Sequence, residues 1–246
     1  MEPENKTRDS SEPWIKSFSQ FDRKMTIAID GPAAAGKSTT ARLVAKKLGY
    51  LYIDTGAMYR ALTWKALRDK IDIKSKKALS ELAKNTQIQL KPGPNLENKV
   101  YLDKQNITSF LRSPEVNRYV SLVSSVKEVR EVLVAQQKQI GKKGGIVAEG
   151  RDMTTVVFPE AELKIFLKAS LGERTRRRWM EEKEKNLSCD KKEIAAGLTN
   201  RDKIDSQRKI SPLKISRKAI VIDNTHLNIS QTTNKILDLL KRKLVR

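Results

Sequence analysis

The amino-acid sequence predicts a doubly wound α/β domain built on a five-stranded parallel sheet. Two observations lead there. Short β-rich runs alternate with segments whose apolar residues recur at helical spacing. A glycine-rich loop also joins the first such run to the first such helix. Strands separated by helices run parallel and are covered on both faces.

The elements follow in order. Met25–Asp30 reads as a strand, and Lys37–Leu48 as a helix with Ala41, Val44, Ala45 and Leu48 on one face. Tyr50–Asp54 is a second strand. Ala57–Lys70 is a helix carrying Met58, Ala61, Leu62 and Ala66 on one side. Residues 145–149, 163–169 and 219–223 are three more strands, and Ile229–Leu244 is an amphipathic helix. Two segments break the rhythm. Residues 71–120 place a Lys91-Pro92-Gly93-Pro94 turn between Thr86–Leu90 and Val100–Leu102, which predicts an inserted antiparallel subdomain. Residues 171–210 are densely charged and predict a mobile helical arm. Residues 1–24, rich in Ser, Pro, Glu, Asn and Lys, predict a disordered tail. The domain then spans 25–246, with its core in 25–70, 121–170 and 211–246.

Composition excludes several classes. None of the 246 residues belongs to an apolar run of 18 or more, so no membrane-spanning helix is expected. One cysteine, Cys189, excludes a disulfide framework and reads as an incidental exposed thiol. One histidine, His226, excludes a histidine-rich metal centre and reads as a loop residue. The net charge of +21 points to an anionic partner. The tail carries five basic and five acidic residues, so the excess sits in the folded part.

Gly31-Pro32-Ala33-Ala34-Ala35-Gly36-Lys37-Ser38 matches G-x-x-x-x-G-K-[ST] between a strand and a helix. The glycines let backbone N–H groups turn inward around phosphate oxygens, and the helix N-terminus adds positive potential. Lys37 is expected to reach the β- and γ-phosphates, and the Ser38 hydroxyl to ligate Mg²⁺. The chain is therefore expected to bind a nucleoside triphosphate. An N-K-x-D base-reading motif is missing, because Asn234-Lys235-Ile236-Leu237-Asp238 has the wrong spacing. Ala148-Glu149-Gly150 is a poor match to an ATPase's acidic strand end. Kinases of small substrates remain, and they need a second anion site. Candidates for it stand at strand ends: Asp54–Arg60, Gly150-Arg151-Asp152, and Arg201 to Arg208, whose arginines and Asp205 fall on one helix face.

Together these segments resemble the bacterial cytidylate kinases, nucleoside monophosphate kinases of the P-loop, adenylate-kinase-like fold. The resemblance rests on IAIDGPAAAGKST (27–39), IDTGAMYRAL (53–62), EVNRYVS (115–121), VREVLVAQQ (129–137), EGRDMTTVVFPEAELKIFLKAS (149–170), ERTRRR (173–178) and RDKIDSQRKISPL (201–213). It implies ATP and CMP or dCMP as substrates, with 71–120 as the monophosphate-binding insert and 171–210 as a short helical lid. It implies that Gly31, Pro32, Ala33, Ala34, Ala35, Gly36, Lys37, Ser38 and Thr39 hold ATP. Thr55 would lie near the monophosphate, and Arg60 and Arg130 would grip its phosphate. Ser121, Arg151 and Asp152 would recognise cytosine, and Asp205 would hold the sugar hydroxyls. Arg201 and Arg208 would approach the phosphates from the far side. Lys37, Arg130, Arg151, Arg201 and Arg208 are the expected catalytic residues. Arg174, Arg176, Arg177 and Arg178 would form the lid hinge, Arg177 and Arg178 matching best as ATP contacts. A cytoplasmic monomer without membrane attachment or obligatory nucleic acid is expected. Two other readings stay open on the residues: a P-loop kinase of UMP/CMP, AMP or another small acid, and a nucleic-acid-binding P-loop ATPase. Against the latter, aromatic residues are only 5% of the chain and are not clustered into a stacking platform.

Overall fold

A computed structural model of the chain describes residues 24–93, 97–184 and 190–244. Nearly all of the expected tail lies outside these residues, as do Trp14 and Cys189.

The chain enters through β1 (Thr26–Asp30) and passes the glycine-rich loop into α1 (Lys37–Leu48). It returns through β2 (Leu51–Asp54) and leaves along α2 (Thr55–Arg68). Next come α3 (Lys76–Lys84) and three short strands, β3 (Ile88–Pro92), β4 (Asn98–Leu102) and β5 (Gln105–Asn106). Two helices follow, α4 (Pro114–Val123) and α5 (Lys127–Gly141). The chain re-enters the sheet as β6 (Ile146–Gly150), makes a single π-helical turn at Met153–Val157, and continues as β7 (Leu163–Lys168). Helices α6 (Leu171–Glu184) and α7 (Lys191–Gln207) precede the last strand, β8 (Ile220–Asp223), and the closing helix, α8 (Ile229–Leu244).

The main sheet has five parallel strands in the order β2-β6-β1-β7-β8. The strands are the five that the sequence predicts, with ends shifted by a residue. Alternation along each strand feeds two layers. Ile27, Ile29, Val147, Leu163, Ile165 and Leu167 pack with Val44, Ile236, Leu237 and Leu240 under α1 and α8. Ala28, Ile146 and Ala148 face the other way, against Met153, Val157 and Val134. A sheet buried on both faces exposes functional groups only at its strand ends and their loops, so the site belongs there.

The insert is mixed. It contains the expected antiparallel strands, in the order β3-β4-β5, and in addition α3, which the sequence reading left out. Ser75 caps α3 by accepting from the Ala78 N–H, and Leu79 and Ala83 fall on its buried side. Three lysines and a glutamate among the nine residues of α3 mask that short apolar face in the sequence. The insert shares one apolar cluster with α2 and α5, through Leu79, Val100, Leu102, Met58, Leu62, Val129 and Leu133.

One side chain fastens the insert to the sheet. The Asn98 amide donates to the Tyr52 carbonyl at 2.9 Å and accepts from the Asp54 N–H at 2.8 Å. Asn98 thus completes hydrogen bonds on the outer edge of β2, and Arg42 pairs with Glu97 beside it. Asn98→Ala leaves a buried N–H and carbonyl on β2 without partners. It is expected to lower stability by about 1–3 kcal/mol in chemical denaturation. An unchanged unfolding midpoint contradicts this role.

Candidate active site

The glycine-rich loop leaves the carboxyl end of the central strand. A β-carbon on Gly31 would lie 2.0 Å from the Leu167 carbonyl oxygen, so no other residue lets the loop pass β7 so closely. Gly36 takes φ +83° at the start of α1. Ala34 takes φ +58°, a left-handed conformation disfavoured for a residue with a β-carbon. Ala33 and Ala35 are buried, while Pro32, Ala34 and Thr39 are half-buried.

Lys37 is buried and its ammonium donates to the Pro32 carbonyl at 2.7 Å. Burial, and the neighbouring Arg151 and Arg201 charges, push it down to about 7 against the pull of Glu149 and Asp205. The Ser38 hydroxyl donates to Glu149 Oε1 at 2.5 Å, and the Tyr52 hydroxyl meets the same oxygen at 3.3 Å. Burial and the Asp54 charge hold Glu149 above the usual carboxylate range. Glu149 ends β6 beside β1, so the strand order brings an acid to the start of α1 across 111 residues. The sequence reading passed over it because its flanking residues match no ATPase pattern.

The segment after β6 carries the next group. Asp30 is fully buried at the end of β1 and accepts from the Met153 N–H, the Thr154 N–H and the Thr154 hydroxyl at 2.6–2.8 Å. Burial pushes its carboxyl up to about 6 against those donors. Through these bonds it seats the π turn, and with it Arg151 and Asp152. Asp152 pairs with Arg130, whose side chain is 2% exposed and lies over the Tyr59 ring at 5.2 Å. Arg130 also donates to the Ser124 carbonyl, and the Ser124 hydroxyl to the Ser121 carbonyl at 3.1 Å. Ser121, buried on α4, joins the pair through that backbone link. Thr55 donates its hydroxyl proton to the Glu149 carbonyl at 2.7 Å, so it also braces β6.

The remaining arginines come from the other side. Arg151 pairs with Asp205 at 2.7 Å, and Arg208 stands 3.8 Å from the same carboxylate. Burial pushes Asp205 up, but Arg151, Arg201 and Arg208 together hold it below the usual range. The sequence reading puts Arg201, Asp205 and Arg208 on one helix face. Instead α7 stops at Gln207, and Arg208 is an extended cap residue bonded to the Ser211 carbonyl. Burial and the charges of Arg60 and Arg151 lower Arg201 to about 9. Burial also lowers Arg60 and Arg208, with further repulsion from Arg112 and Arg151 on the first and Arg130 on the second. Arg60 Nε, Arg201 Nε and Arg208 Nη2 are buried without a hydrogen-bond partner. Cations that repel one another, with buried donors unmet, form a cluster whose charge and donors complement an oxyanion.

The lid-hinge arginines divide. Arg174 and Arg177 donate to the carbonyls of Ala33 and Ala35 on the back of the glycine-rich loop, where the Asn224 amide also reaches Ala35. Arg176 pairs with Glu173, and Arg178 with Glu181 and Glu182. Arg178 is also among the charges acting on Arg201. His226 falls in the turn after β8.

A phosphate-type loop on the central strand, beside arginines with unmet donors at the same sheet edge, defines a P-loop kinase. The sequence matches the cytidylate kinase family model over residues 27–242. It is 47% identical over 224 residues to a cytidylate kinase of Bacillus velezensis, covering 91% of this chain and 99% of that relative. It is 45% identical over 219 residues to one from Bacillus cereus, covering 89% and 97%. The chain belongs to the cytidylate kinase family. Among the described residues no helix is long and apolar enough to cross a membrane.

A triphosphate placed against Lys37 restores the ammonium to its charged form. Binding is therefore expected to take up protons, from close to none near pH 6 to nearly one per site by about pH 8.5. Calorimetry in buffers of different ionisation enthalpy reads this directly. Proton-neutral binding at pH 8 refutes the depressed lysine.

Proposed function

We propose that this chain transfers the γ-phosphoryl group of ATP to CMP and dCMP, giving CDP and dCDP. The observation that carries this reading is the set of unpaired arginine donors facing the glycine-rich loop, with a buried Arg130–Asp152 pair beside them. The family membership supports the same reading.

The loop residues 31–39 hold the triphosphate, their inward N–H groups and Lys37 meeting its oxygens. Arg60, Arg201 and Arg208 hold the monophosphate and the transferring group, where their unmet donors find oxygens. Because Arg130 pairs with Asp152 and Arg151 with Asp205, Arg130 moves from the expected phosphate role to the base and Arg151 from the base to the sugar and phosphates. The Asp152 carboxylate accepts from the cytosine amino group and the Arg130 guanidinium donates to its ring acceptors. Uracil replaces that amino donor with an acceptor and leaves Asp152 opposed. Ser121 completes the wall of that pocket, and Thr55 closes it near the monophosphate. Asp205 and Arg151 face the sugar and the phosphates.

The attacking oxygen is itself a phosphate oxygen, largely ionised near pH 7, so no general base is needed. The work is alignment in line and neutralisation of charge. Mg²⁺ entering with ATP supplies further neutralisation of the β- and γ-oxygens. Ser38 and Glu149 offer hard oxygen donors for it. Among the described residues no group of three or more His, Cys, Asp or Glu is placed to hold a metal alone. Ser38 and Glu149 would therefore hold the ion together with the triphosphate it accompanies, where it would supply counter-charge.

Steady-state rates with CMP, dCMP, UMP and AMP test the reading, and a preference for UMP or AMP overturns it. Lys37→Ala is expected to lower transfer by about 10³-fold or more. Asp152→Ala is expected to lower kcat/KM for CMP by about 10²-fold and for UMP far less. Unchanged CMP/UMP selectivity removes Asp152 from base recognition.

A further inference from the structure

The loop at the centre of the site cannot hold its own shape. Its middle is Ala33-Ala34-Ala35, with no side chain larger than a methyl group. Ala34 nevertheless sits at φ +58°, a conformation that a residue with a β-carbon resists by roughly tenfold or more in population. Local preference alone therefore favours a right-handed conformation at Ala34, and something outside the loop has to hold it left-handed.

The residue just before Ala34 is gripped at both ends. The Ala33 N–H donates to Asp202 Oδ1 at 3.3 Å, and the Ala33 carbonyl accepts from Arg174 Nη1 at 3.2 Å. The same Arg174 nitrogen donates to Asp202 Oδ2 at 2.5 Å, closing a ring of three contacts. Arg174 is held in turn through Nε on the Ala169 carbonyl at 3.2 Å. Its side chain is 10% exposed and that of Asp202 23%. The two come from α6 and α7, 141 and 169 residues beyond Ala33.

We propose that Arg174 and Asp202 are positioning residues that clamp the phosphate loop with Ala34 left-handed, so that α6 and α7 set the loop's affinity for the triphosphate. This rests on the reading that the loop holds ATP. Neither residue contacts the nucleotide in this scheme, and their effect passes through the conformation of Ala34.

A double-mutant cycle between Asp202→Ala and Ala34→Gly in the full chain tests it. Glycine adopts the left-handed conformation without a steric cost. In the parent background Asp202→Ala is expected to raise KM for ATP about tenfold, with KM for CMP moved by less than about threefold. In the Ala34→Gly background the same change is expected to raise KM for ATP by less than about threefold. Equal losses in both backgrounds overturn the clamp and leave Asp202 as a support of the helices alone. Tighter ATP binding in Asp202→Ala also overturns it, showing that the carboxylate competes for the phosphate seat. Asp202→Asn keeps an acceptor for Ala33 while losing the ion pair. It carries the same cycle if the alanine variant melts below the assay temperature. If the parent chain transfers no phosphoryl group to CMP, the functional reading fails. The clamp is then still decided by titrating tripolyphosphate into the four proteins.

Discussion

Arg60, Arg151, Arg201 and Arg208, together with Lys37, cluster at one sheet edge, where Asp54, Glu149, Asp152 and Asp205 offset part of their charge. Out of water, like charges repel, and Lys37, Arg60, Arg201 and Arg208 are driven toward surrendering their protons, while Asp205 holds Arg151 the other way. Lys37 at about 7 and Arg201 at about 9 record that pressure. The arrangement persists because each arginine is anchored on a different element: Arg60 on α2, Arg151 behind β6, Arg201 within α7 and Arg208 at its end. On the proposed reading, phosphate oxygens brought by substrates would relieve this repulsion and convert it into affinity for the charge that develops during transfer.

The sheet makes this possible by supplying carboxylates as fasteners. Asp30, Asp54 and Glu149 end three adjacent strands, and each holds a different neighbour. Asp30 seats the turn behind Asp152, Asp54 caps α2, and Glu149 receives the first hydroxyl of α1. Holding them there has a cost: burial and the Asp152 charge raise Asp30, and burial and the Asp54 charge raise Glu149. These acids thus position backbone and the start of α1, while Arg60, Arg201 and Arg208 keep donors unmet.

Much of this is legible in the sequence, and the division has a physical basis. Loop and strand signals are local: the spacing of Gly31, Gly36 and Lys37 and the short β-rich runs appear within a dozen residues. Arg60, Arg151, Arg201 and Arg208 stand out because they follow strands or cluster at helical spacing. Asp30, Asn98, Glu149 and Asp202 do not stand out. Their roles consist of a bond to a residue 44 to 169 positions away, and nothing nearby marks them. The same limit misplaced Arg208 on α7. The helix ends one residue earlier, and Ser211, at φ +49°, turns the chain back toward Arg208.

The unmet donors of Arg60, Arg201 and Arg208 have a consequence outside catalysis. They do not distinguish a nucleotide from any tetrahedral oxyanion of the right size. On the proposed reading, inorganic phosphate or sulfate at millimolar concentration is expected to act in two opposite ways. It would occupy the arginine cluster and slow turnover, and it would quiet the repulsion and raise the temperature at which the chain unfolds. The ionic composition of the surroundings would then determine both heat resistance and speed.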